Sequence, residues 1–298
     1  MFLRFFHSLR RAIWRGFEHD CFAIAKGAAY SAILTVFPLF LVVASVLAAS
    51  HKTENFLGEL SGAVGQIMPP GARTAAMHYF EGGQHHPVRL IYSASLIALM
   101  AASGVMISWM EGFRNAYRLP REWGVVKERA VSLFLVLLSF APMTAATILV
   151  GFGNTIQTWL LQHSNKEVGL AVILFWQLGR WVISTLTSIA VISLIYHWGI
   201  PRTQPFYRVL PGATLATVAW FLATIGFGWY VTKYANYTAI YGSLGAAIAL
   251  LVWTYIVSIV VLIGAEFNAL VYPRVVLEEP KAILNRRGNP VGVSGPVR

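Results

Sequence analysis

Charged and polar side chains inside long apolar runs are the first candidates for chemistry, because each is costly to place in hydrocarbon. Arg180 sits in Trp176-Gln177-Leu178-Gly179-Arg180-Trp181, well inside such a run. At roughly 1.5 Å per helical residue it lies about 16 Å deep, too far to reach the interface comfortably. It must face other helices or a wet cavity, as an anion or headgroup contact or as a clamp on carbonyls and neighbouring hydroxyls. Glu266 lies near the end of the last apolar run, in Gly264-Ala265-Glu266-Phe267-Asn268. Glu111 closes the second run, and Lys26 opens the first at a similar level. One of the two carboxylates is expected to pair with Lys26 or Arg114 and hold helix ends together, with a proton relay as the sharper alternative. Arg180 sits well above this layer and is not expected to reach Glu266.

Hydrolytic chemistry is hard to assemble from the rest. Asp20 is the one aspartate, and of the eight histidines His78, His85 and His86 fall in one loop without a carboxylate to orient them, which is weak support for zinc. Cys21 is the one cysteine, so neither an intrachain disulfide nor a cysteine-based zinc site can form. There is no Walker A, G-x-S-x-G, H-E-x-x-H or dinucleotide fingerprint. The expectation is a protein that is not an enzyme, with no catalytic, cofactor or metal site and no ATP-driven step of its own.

The elements that must position these groups follow from composition. Of 298 residues, 57% are hydrophobic and 12% charged, against about 25% charged in a soluble domain. A hydrocarbon core of about 30 Å takes about 20 apolar helical residues, and six runs qualify: 28–49, 88–111, 130–153, 169–198, 209–232 and 242–270. The fold class is therefore all-α, a polytopic membrane protein with six transmembrane helices. The first run is longer than a secretory h-region of about 7–15 residues and is read as an uncleaved span. Lysine and arginine set the orientation. With the N-terminus inside, seventeen basic residues fall on inner segments and five on outer ones, so both ends are expected in the cytoplasm. The net charge of +11 is then mostly a topology signal. It also attracts membrane lipids with anionic headgroups, and no nucleic-acid partner is expected.

Residues 1–27 form the cytoplasmic amphipathic segment, since Phe2, Phe6, Leu9, Ile13 and Phe17 recur at helical spacing with arginines on other faces. Residues 54–84 read as a broken helical segment around Met68-Pro69-Pro70-Gly71, either surface-lying or dipping into the membrane. The membrane domain is 28–270. Residues 271–298, rich in proline and glycine, form a disordered cytoplasmic tail. Gly242 with Ala246, and Gly245 with Ala249, are small-xxx-small pairs for close helix packing. Pro38 and Pro142 are kinks or hinges that free backbone carbonyls, tolerable only beside protein or water. The two halves show no internal repeat of the transporter kind.

Gly27-Ala28-Ala29-Tyr30-Ser31 leading to Val36-Phe37-Pro38-Leu39, then Leu210-Pro211-Gly212-Ala213 running to Tyr230, and above all Ile240-Tyr241-Gly242-Ser243-Leu244-Gly245 through Trp253 to Gly264-Ala265-Glu266-Phe267-Asn268, resemble the YihY/BrkB family of bacterial inner-membrane proteins. The resemblance covers about residues 10–275. It implies six spans, an inner-membrane location and a poorly defined activity. Some members carry a virulence or serum-resistance label, and others were formerly labelled ribonuclease BN. One aspartate cannot supply the clustered ligands of a metallo-nuclease. The resemblance also implies envelope lipid handling. Three functions are compatible with these residues, in falling order: transport or handling of an envelope lipid or other amphiphile, a non-transporting scaffold for an envelope partner or a second copy, and, last, a membrane-bound ribonuclease.

Overall fold

In the computed structural model, residues 2–49, 87–151, 169–201, 205–233 and 245–273 are described. The segment 54–84, the histidines His78, His85 and His86, Gly242 and most of the tail lie outside them. Seven helices are present among these residues, and no strand: α1 (Phe2–Glu18), α2 (Cys21–Ala49), α3 (Pro87–Ala116), α4 (Val125–Gly151), α5 (Gly169–Trp198), α6 (Phe206–Lys233) and α7 (Gly245–Val271). Six of them, α2 to α7, are long and apolar enough to cross a membrane. The helices overrun several of the apolar runs because a helix continues into the headgroup layer, where polar residues are tolerated. α2, for instance, starts at Cys21 and α4 at Val125.

Consecutive spans are neighbours, and the last also packs on the first, so α2 to α7 close into a ring; α7 touches α3 as well. α1 lies against α7 and α2. The outer faces carry large exposed apolar side chains, among them Leu96, Leu137, Leu186, Leu222 and Ile225. Buried hydroxyls point the other way: Ser103, Ser132, Ser184, Ser188, Ser193, Thr217 and Ser258. Polar groups inside and apolar groups outside is what hydrocarbon as solvent selects.

The densest packing lies at the end of the ring where α1 sits. Every residue of α7 from Gly264 to Ala269 is buried, because α1, α2, α3 and α6 surround it there. Gly264 and Gly212 let α7 and α6 cross backbone to backbone: a Cβ on either would collide with the other's carbonyl oxygen. Tyr196 of α5 donates its hydroxyl to the Val261 carbonyl at 2.6 Å and meets Phe113 of α3 edge-on at 5.1 Å.

Pro38, Pro142 and Pro211 all lie inside helices rather than ending them. Thr35 and Ser139, each three residues before a proline, donate to the carbonyls of Ser31 and Leu135 at 2.8 and 2.7 Å. Such back-bonding bends a helix slightly, in the same turns where proline removes a backbone bond.

Candidate functional site

Two polar layers emerge, at different heights. The upper one is a stripe on α5. Arg180, Ser184 and Ser188 follow at four-residue spacing, so they share one side of the helix, which Val191 and Ile195 continue towards the α1 end. Ser184, Ser188, Val191 and Ile195 are buried and Arg180 is half-buried, while Leu178, Val182 and Leu186 on the other side are exposed. Ser188 donates to the Ser184 carbonyl at 2.9 Å. The Ser184 hydroxyl, one turn from Arg180, has no hydrogen-bond partner among the described residues. A buried polar group left unsatisfied costs about 1–3 kcal/mol.

The lower layer is built around Glu266, which is fully buried. α1 ends at Glu18, and Asp20 adopts a left-handed φ of 56°, a conformation its short side chain tolerates. The chain thereby turns sharply into α2 and places two side chains over α7. His19 Nδ1 lies 2.7 Å from Glu266 Oε1, and the Cys21 thiol donates to the same oxygen at 3.9 Å. The second oxygen, Oε2, is buried without a hydrogen-bond partner among the described residues. Two residues on, Asn268 accepts from the Gly212 N–H at 2.7 Å and donates to the Val209 carbonyl at 3.0 Å. Its amide thus satisfies both groups of the α6 backbone beside Pro211.

A third cluster ties α3 to α4. Arg114 and Arg121 both donate to Glu128, the latter at 2.7 Å. Arg118, at φ 51°, makes the turn that ends α3, and Leu119 N–H returns to the Arg114 carbonyl at 2.9 Å. Deeper in, Arg129 donates to Ser103 at 2.7 Å.

The sequence pattern described as virulence factor BrkB matches residues 13–287. The chain belongs to the BrkB family. It is 28% identical over 254 residues to YfkH of Bacillus subtilis, whose name calls it ribonuclease-like, covering 83% of this chain and 88% of that protein. It is 26% identical to UPF0761 membrane proteins of Ralstonia nicotianae and Tolumonas auensis. It spans 57% of the length of the first and 82% of the second, so some BrkB relatives extend well beyond it. No solved structure matches the chain.

With the family in place, the segment Gly264-Ala265-Glu266-Phe267-Asn268 becomes the hub of this BrkB protein's α1 end. The expected ion pairs are corrected. Lys26 and Glu111 are exposed and enter no ion pair among the described residues, and Glu266 takes His19 rather than Lys26 or Arg114. Arg114 instead takes Glu128, because the short α3–α4 turn brings the first turn of α4 back over the end of α3. Gly245 opens α7 and is buried, whereas Ala246 beside it is exposed. Sequence reasoning missed His19, Glu128 and Asn268. A signal existed for Glu128, an acid in a helix's first turn beside a basic loop. None existed for His19, which lies 247 residues from its partner. Among the described residues no three of His, Cys, Asp and Glu are grouped as a metal site.

Proposed function

We propose that this BrkB protein handles an amphiphile, a phospholipid by preference, moving it across or along the bacterial inner membrane by way of the α5 stripe. The observation that carries the reading is Arg180 on the same side of α5 as the buried hydroxyls of Ser184 and Ser188. A guanidinium is suited to a phosphate because its fixed donors match the oxygens in pairs. The Ser184 hydroxyl adds hydrogen-bonding capacity one turn further along. An apolar exterior beside a polar interior lets acyl chains stay in lipid while a headgroup follows the seam. The reading assigns no bond-breaking step to the chain and needs no cofactor. The reading has both termini facing the cytoplasm, which the arginines gathered at the α1 end, on α1 and in the α3–α4 turn, support.

The test is reconstitution of the purified protein in liposomes with a headgroup-labelled phospholipid. Wild type should move the label between leaflets. Arg180→Ala should cut the rate by at least about tenfold while the protein folds normally, as expected for loss of a charge-assisted contact of about 1.5 kcal/mol. No movement by wild type, or full movement by Arg180→Ala, defeats the proposal. In that case co-purification of a partner would favour the scaffold, and metal-dependent cleavage of RNA by the pure protein would favour the nuclease.

A further inference from the structure

The surface beside the lower layer carries a pocket that the α5 stripe does not use. It has a volume of 540 Å³ and is lined by Arg10, Arg11, Trp14, Arg15, Glu18 and Leu270. We propose that it binds the headgroup of an anionic glycerophospholipid, a phosphodiester that also carries a free hydroxyl. The inference needs the chain to lie in a membrane but does not need it to move lipid.

Four observations converge on this chemistry. α1 cannot turn its arginines away, because Ala12 and Gly16 are buried and a Cβ on Gly16 would sit 3.8 Å from Ile263 of α7. His19 on Glu266 pins the helix's end. Next to the buried side, Phe6, Ile13 and Phe17 share an exposed apolar face at seven- and four-residue spacing, where acyl chains would lie. Arg10, Arg11 and Arg15 occupy the remaining side, with Trp14 69% exposed between them, the placement of an amphipathic ring at the membrane surface. The volume falls within the range of about 300–1,000 Å³ typical of small-molecule sites. Three guanidinium groups favour a phosphate. Glu18 has no donor to offer it, and accepts from a headgroup hydroxyl instead. A headgroup ending in a phosphate alone would bring a second negative charge against that carboxylate.

The full-length protein in detergent micelles, titrated by native mass spectrometry with phosphatidylglycerol, phosphatidylethanolamine and inorganic phosphate, tests this. Phosphatidylglycerol should bind saturably and outcompete phosphatidylethanolamine, and excess inorganic phosphate should not displace it. The double variant Arg10→Gln/Arg11→Gln should bind phosphatidylglycerol about 25-fold more weakly, roughly fivefold per charge, with an unchanged melting temperature. Equal binding of the two lipids, or unaltered phosphatidylglycerol binding by the variant, overturns the proposal. Displacement by inorganic phosphate at matched concentration reassigns the pocket to a soluble phosphate and overturns it also. Lipid movement that survives loss of this binding leaves the α5 reading standing, and binding without movement does the reverse.

Discussion

Asn268 is held by two backbone groups of another helix, and that makes it more exacting than the charged residues around it. Its amide fills the N–H of Gly212 and the carbonyl of Val209, and all of these atoms are buried in the α6–α7 crossing. Truncation to alanine removes both of these bonds between the helices, at about 0.5–1.5 kcal/mol each. Asn268→Ala should therefore lower the melting temperature in detergent by several degrees, and Asn268→Asp, which cannot donate to Val209 as a carboxylate, should not rescue it. Gly212 makes the same crossing testable from the other side. An added methyl meets the Gly264 carbonyl and the Asn268 side chain, and backbone cannot yield cheaply, so Gly212→Ala should express poorly or unfold early. Gly226, on the same helix, has nothing among the described residues within 4 Å of its Cβ position. There the alanine replacement should be neutral or stabilising, by up to about 1 kcal/mol. A Gly212→Ala protein as stable as Gly226→Ala would show that the helices do not cross so closely. The motif containing Glu266 and Asn268 stood out in the sequence, but what it does was not legible there. Its partners are 56, 59 and 247 residues away, and only the fold brings them together.

Helices were the most legible elements, because length and apolarity are local properties of the chain. The six runs appear as six helices, and residues 2–18 as an amphipathic helix. What periodicity could not give is the partner of α1. An apolar stripe on a short basic helix fits a lipid surface as well as a protein groove, and α1 leaves a face for each: Ala12 and Gly16 are buried against the bundle while Phe6 and Phe17 stay exposed. Its docking is concentrated at one end, where the Asp20 turn presents His19 to Glu266. Removing the imidazole takes away this contact and leaves the buried carboxylate with the weak Cys21 thiol donor. His19→Ala should loosen α1 by about 1.4 kcal/mol or more, which is about a tenfold gain in the undocked population. Limited trypsin digestion would read this as faster cleavage after Arg10, Arg11 and Arg15, with the rest of the chain intact. Unchanged cleavage would mean that the Ala12–Gly16 face alone holds the helix.

At the scale of the whole molecule the closed ring gives every span at least two neighbours, with large apolar side chains such as Leu96, Leu137, Leu186 and Leu222 exposed on the outer faces. The order of the ring could not be read from the runs themselves, since lipid-facing and helix-facing apolar residues look alike when lipid is as greasy as leucine. Hydroxyls mark the difference only in part: Ser103, Ser132, Ser184, Thr217 and Ser258 are buried on five of the spans, but Ser93, Thr144, Thr214 and Thr224 are exposed, so a hydroxyl in a run does not by itself assign its face. The ring also fixes which chain segments share a face of the membrane. α1, the α3–α4 turn and the start of α6 lie at one end, and the end of α6 at Lys233 lies at the other. Basic residues crowd the first of these ends, and the preference of Lys and Arg for the cytoplasmic side predicts that this end faces the cytoplasm. Replacing Cys21 by serine removes the one native thiol and lets single cysteines report each end. Val126, 85% exposed at the start of α4, and Lys233, exposed at the end of α6, are suitable positions. On intact cells stripped of their outer membrane, a membrane-impermeant maleimide should label Lys233→Cys and spare Val126→Cys until the inner membrane is opened. Labelling in the opposite order would invert the molecule and move the arginine pocket of α1 to the outer surface. Labelling of both before the membrane is opened would mean that the helices do not cross as a ring at all.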